Sequence, residues 1–134
     1  MAAAIGLFVL TVALGEWAWR YRAPEIWVDV SPRVRVAIDA PQRVSVTLKY
    51  RPRFLGSGQA RSIAGTIQLL SFPQSVVVAP TTIVTSDSAP EAVFTVRGLR
   101  VGAETLDFAG SNTPTEASSW RTASTRAVVL KAQP

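Results

Sequence analysis

Histidine and cysteine are both absent from this chain of 134 residues, and each absence closes off chemistry. Without histidine there is no Ser-His-Asp triad, no imidazole general base and no imidazole metal ligand. Without cysteine there is no disulfide framework, thiol nucleophile or cysteine zinc site, and redox habit says nothing about compartment. Neither a glycine-rich phosphate loop nor a GxSxG elbow occurs. Acids are scarce: nine Asp and Glu stand against 14 Lys and Arg, a net charge of +5. None of the nine falls between Asp39 and Asp87, which predicts a positive field over that part of the chain. Glu104 and Asp107 are the nearest candidate pair of carboxylates, and on a strand a spacing of three sends them to opposite faces. No enzyme, cofactor, metal or small-molecule substrate is expected from this inventory. Nucleic acid is not expected either, because the arginines fall on strand faces with few aromatics among them.

What the chain does have is an apolar beginning. From Ala2 to Leu14 there is no charge and no proline, and Glu16 is the single charged residue before Arg20. A run of about 18 residues makes a helix about 27 Å long, close to the roughly 30 Å hydrocarbon core of a bilayer. The run predicts a transmembrane helix over residues 1–22, making the protein single-pass in a bacterial inner (cytoplasmic) membrane. Two other readings stay open. Ala13 and Gly15 suit a signal peptidase that would leave Glu16 as the new N-terminus, although no basic residue precedes the run; a buried core helix is the other. Trp17, Trp19, Arg20, Tyr21, Arg22 and Trp27 have the composition of a membrane-interface belt, and Glu16 and Arg20 share a helix face. Ala23 and Pro24 end the helix. Arg20, Arg22, Arg33 and Arg35 all follow the span, so the positive-inside rule puts the remainder in the cytoplasm, with the periplasm as the alternative.

Residues 23–134 read as strands. Val34, Val36 and Ile38 continue, beyond a kink at Ser31-Pro32, a first strand begun by Ile26 to Val30. Val44, Val46, Leu48 and Tyr50 alternate with polar residues in the clearest period-two pattern. Ile63, Ile67 and Leu69 form a third strand weakened at Gly65, and Ser75 to Ala79 a fourth. A polar connection from Pro80 to Pro90 leads to Ala92, Phe94 and Val96, then to Glu104 to Phe108. Thr122 to Lys131 comes last, with Val128 and Leu130 as its expected apolar face. Seven short strands at regular spacing, with no helical period after Pro24, predict a mainly β fold, a β-sandwich.

Two stretches carry a resemblance. GTIQLLSFPQSVVVAP, Gly65 to Pro80, and EAVFTVRGLRVGAETLDF, Glu91 to Phe108, resemble the second half of bacterial immunoglobulin-like domains: a strand, a proline step, a valine-rich strand, then a phenylalanine-centred strand and a glycine turn. The likeness covers about half the domain and implies a seven-stranded immunoglobulin-like β-sandwich with Phe94 and Leu106 in its core. Some related domains bind calcium through clustered acids, but Asp29, Asp39, Asp87, Glu91, Glu104, Asp107 and Glu116 form no such cluster in sequence.

Function then has to come from surfaces. The composition points to a non-catalytic accessory or structural subunit of a larger membrane protein complex, photosynthetic or respiratory, assembled through its helix and its extramembrane sandwich. The alternative is a membrane-anchored binding or adhesion module with a soluble or surface ligand. The partners expected are subunits of that complex and a lipid bilayer with anionic headgroups. The loop from Arg51 to Arg61 is the candidate contact, because Arg51, Arg53 and Arg61 surround an adjacent Phe54 and Leu55; the other reading folds that pair back over the open end of the sandwich.

Overall fold

The computed structural model describes residues 25–38, 40–52 and 59–131. The expected transmembrane helix, and with it Trp17, Trp19, Arg20, Tyr21 and Arg22, lies outside the described residues, as do Arg53, Phe54 and Leu55. Among the described residues no helix is long and apolar enough to cross a membrane. The described residues fall into two units, one holding Glu25, residues 50–52 and 59–61, the other residues 26–38, 40–49 and 62–131. The hydrophobic core belongs to the second.

Ten strands are described where the sequence pattern predicts seven: β1 (Glu25–Val30), β2 (Arg33–Ala37), β3 (Gln42–Arg51), β4 (Arg61–Ile63), β5 (Thr66–Leu69), β6 (Val76–Ala79), β7 (Thr82–Val84), β8 (Glu91–Gly98), β9 (Gly102–Ser111) and β10 (Arg121–Leu130). They make two five-stranded sheets. One runs β1-β3-β8-β6 with β4 on β3, and the other β2-β10-β9-β5-β7. The fold is a mainly β sandwich.

The three additional strands arise where the chain leaves one sheet for the other. β1 and β2 part at Ser31-Pro32, β4 and β5 at Ala64-Gly65, and β6 and β7 at Pro80, which follows a cis peptide bond. Proline interrupts a ladder because it has no N–H to give. Gly65 does so by closeness: a Cβ there would lie 2.6 Å from the Ser111 carbonyl oxygen and 2.7 Å from Leu48 Cδ2. Thr85 fixes the corner. Its N–H donates to the Gly65 carbonyl at 2.8 Å, and the Gly65 N–H donates to its Oγ1 at 2.8 Å. The outer strand β7 then pairs with β5 through Thr66↔Val84.

β8 shows how the core is filled. Ala92, Phe94 and Val96 point inward and are fully buried while Glu91, Val93, Thr95 and Arg97 face out, the period of two that a half-buried strand requires. Phe94 meets Phe108 of the opposite sheet with ring centroids 4.9 Å apart and planes tilted by 53°. Such a pair adds about 0.5–1.5 kcal/mol to the burial of each ring.

β10 corrects the expected face. Thr125, Ala127 and Val129 are the buried residues, whereas Leu130 is 45% exposed and Val128 half-buried. The register against β9 gives the reason: Ala123 stands opposite Phe108 and Thr125 opposite Leu106. Where β9 turns its bulkiest side chains inward, β10 must offer small ones. Apolar residues on both faces of β10 concealed that choice.

Candidate partner-docking surface

The segment between β5 and β6, Leu70 to Ser75, presents its aromatic ring outward: Phe72 is 96% exposed. The cause is a set of bonds that hold the segment at both ends. Leu70 N–H donates to the Asp107 carbonyl at 2.8 Å, and Asp107 N–H donates to Ser71 Oγ at 3.1 Å. On the other side of the ring, the N–H groups of Gln74 and Ser75 donate to the Glu104 carboxylate at 2.8–2.9 Å. Phe72-Pro73 spans the gap between these fixed points, so its side chain is directed away from the core by the backbone that carries it.

The turn between β8 and β9 joins this surface. Leu99 N–H donates to the Ser75 carbonyl at 2.7 Å, and Arg100 Nη2 donates to Gln74 Oε1 at 3.3 Å. Leu99 and Val101, on either side of Arg100, are 49% and 60% exposed. The same end of the sandwich thus displays Phe72, Leu99 and Val101 around an arginine. Single exposed apolar residues are ordinary, but several gathered on pinned turns are the composition of an interaction surface.

Glu104 is the hinge pin of this arrangement. Partial burial raises its pKa, but the two backbone N–H donors, the Ser75 side chain and the Arg100 charge outweigh that, and the carboxyl is held below its ordinary range. Asp107 points the other way and accepts from Ser124 Oγ. The two carboxylates therefore work on opposite faces of β9 and do not meet as an acid–base pair.

A second surface is basic. Arg33, Arg35 and Arg43, all exposed, line a groove of about 340 Å³ between β2 and β3, and Arg33 is in register with the exposed Arg126 of β10. Like charges side by side on a sheet are destabilising when nothing neutralises them.

Of the residues singled out in the sequence, Trp27 is half-buried in β1. Arg51 and Arg61 are exposed, and the Arg61 guanidinium lies over the Tyr50 ring, 5.0 Å from its centroid. Arg51, Pro52, Gln59, Ala60 and Arg61 are the described part of the Arg51 to Arg61 region. The Phe72 surface is not among the sequence expectations, in which the third strand reaches Leu69 and the fourth starts at Ser75. A signal was present, an aromatic fixed in a non-repeating turn by the proline after it, but the acid that completes the clamp lies 30 residues beyond Gln74.

Comparison with protein-family models and with curated proteins returns no match. Among solved structures the chain is similar to WR4, a C. elegans MSP family member, at 10% identity and a TM-score of 0.49, covering 80% of this chain and 97% of that one.

Proposed function

We propose that this protein is a non-catalytic accessory subunit of a membrane protein complex. In this reading the apolar segment of residues 1–22 anchors it in a bacterial inner membrane, and an immunoglobulin-like sandwich docks on neighbouring subunits through the Phe72 end, on the cytoplasmic side that the arginines after the span favour. The observation that carries the reading is Phe72, 96% exposed on a segment tied down on both sides. A large aromatic held out by fixed backbone has the rigidity of an interface anchor, and anchors of that kind commonly contribute 2 kcal/mol or more at a buried contact, on the order of a thirtyfold change in affinity. The test is purification in mild detergent. The wild-type chain should bring other membrane subunits with it, and Phe72→Ser combined with Val101→Ser should release them without lowering the melting temperature. Recovery of the chain alone, in a detergent that keeps known complexes together, would refute the subunit reading.

The groove lined by Arg33, Arg35 and Arg43 favours a second reading, an anchored binding module for an acidic soluble or surface ligand. Retention of the protein on an anionic resin coated with acidic polypeptide, lost in Arg33→Ser with Arg43→Ser, would support it; unchanged retention would dismiss it.

A further inference from the structure

β6 is the outermost strand of its sheet, and its sequence is Val76-Val77-Val78-Ala79. Natural edge strands usually carry a lysine, a proline or a bulge that prevents another chain from pairing with them. β6 has none of these within it. The bond from Leu99 N–H to the Ser75 carbonyl sets the phase of its ladder. Continuing from Ser75, Val77 and Ala79 turn their main-chain groups toward β8, opposite Arg97 and Thr95, and Val76 and Val78 turn theirs toward the open side. Among the described residues no further strand takes them up. Beside the edge runs a groove of about 410 Å³, with β6 as one wall and Leu69, Ser71, Phe72 and Pro73 in the other.

We propose that the β6 edge accepts an extended segment of a partner protein as an added strand, one with apolar side chains toward the groove and carboxylates on its outward side. This rests on the docking reading above and gives it a form: main-chain bonds to Val76 and Val78 supply affinity, and alternate side chains supply choice. Charge selects the occupant. Arg97 is exposed, stands opposite Val77 on the outward face, and has no carboxylate partner among the described residues. A second copy paired edge to edge would set two sheets with the same exposed arginine, about 14 Å apart across the two β6 strands, on molecules that each carry a net charge of +5. Carboxylates on the outward side of an added strand lie about 10 Å from the β8 backbone, a gap that their own side chains and that of Arg97 can span across Val77.

The test uses the full chain in detergent micelles and a fluorescent peptide of alternating valine and glutamate. Two controls accompany it, one with lysine in place of glutamate and one N-methylated at alternate amides. The glutamate peptide should bind about tenfold tighter than either control, a difference of about 1.4 kcal/mol, and should slow hydrogen exchange at the Val76 and Val78 amides. Arg97→Glu should reverse the preference between glutamate and lysine. Equal binding of the N-methylated peptide would show that no strand is added, and equal binding of the lysine peptide would show that charge does not choose; either overturns the proposal, as does no saturable binding. Self-association abolished by Val77→Lys would mean that a second copy takes the edge, which also overturns it. Failure here with co-purifying subunits intact leaves the subunit reading standing. Peptide binding by a chain that purifies alone removes that reading instead.

Discussion

Replacing Thr125 with valine should make this protein more stable. Thr125 sits in the middle of β10, 1% exposed, facing Leu106 across the ladder. Its hydroxyl has no hydrogen-bond partner among the described residues. A buried hydroxyl left without a partner costs about 1–3 kcal/mol. Valine has nearly the same shape, needs no partner and suits a strand, so Thr125→Val should recover about 1 kcal/mol, at the low end of that range because the surroundings relax toward the hydroxyl. For a domain of this size that is a rise in Tm of about 4–5 °C. Thr125→Ser keeps the hydroxyl and removes a methyl from the core, so it should lose about 1 kcal/mol. Scanning fluorimetry of the full chain in detergent reads both variants against wild type. An unchanged or lower Tm for Thr125→Val would show that the hydroxyl is satisfied in solution, and the account of the β9–β10 core would need revision.

Glu104→Gln should cost about 1 kcal/mol at neutral pH, since it replaces charge-assisted bonds to Gln74 and Ser75 by weaker ones. The folded carboxyl titrates below its ordinary value, so its contribution is complete above the unfolded pKa and is lost as pH falls through the folded one. Unfolding measured in urea should therefore show the gap between wild type and Glu104→Gln closing in acid and constant above neutrality; a gap that widens in acid would contradict the clamp. Gly65→Ala should destabilise by about 1–3 kcal/mol, because its Cβ meets the Ser111 carbonyl at 2.6 Å where backbone must move, and a neutral result in the same urea titration would mean that the corner is looser than described.

The strands were legible where one face is dry and the other wet. β3 and β8 alternate cleanly, and their buried residues, Val44, Val46 and Leu48 on one and Ala92, Phe94 and Val96 on the other, are those that the period of two selects. The exchange of strands between sheets was not legible, because alternation says which face is buried and nothing about which neighbour is paired. In sequence Pro32 and Gly65 mark a kink and a weak point; that each is a crossing depends on contacts with Arg126 and Ser111, far along the chain. β7, three residues in polar surroundings, had too short a pattern to register. The docking surface was hidden for a related reason. An exposed Phe72 and a buried one look alike in sequence, and the difference is made by Glu104 and Asp107 of β9, the strand paired with β5, holding the segment. The arginine-flanked loop stands out in sequence instead because its composition is unusual locally.

The most direct measurement of the central claim is site-specific photo-crosslinking in native membranes, with a benzophenone side chain replacing Phe72 in one variant and the exposed Thr115, in the β9–β10 connection at the other end of the sandwich, in a second. The subunit account predicts a discrete crosslinked band to another membrane protein from position 72 and none from position 115. Equal labelling from both positions, or no protein adduct from position 72, would contradict it.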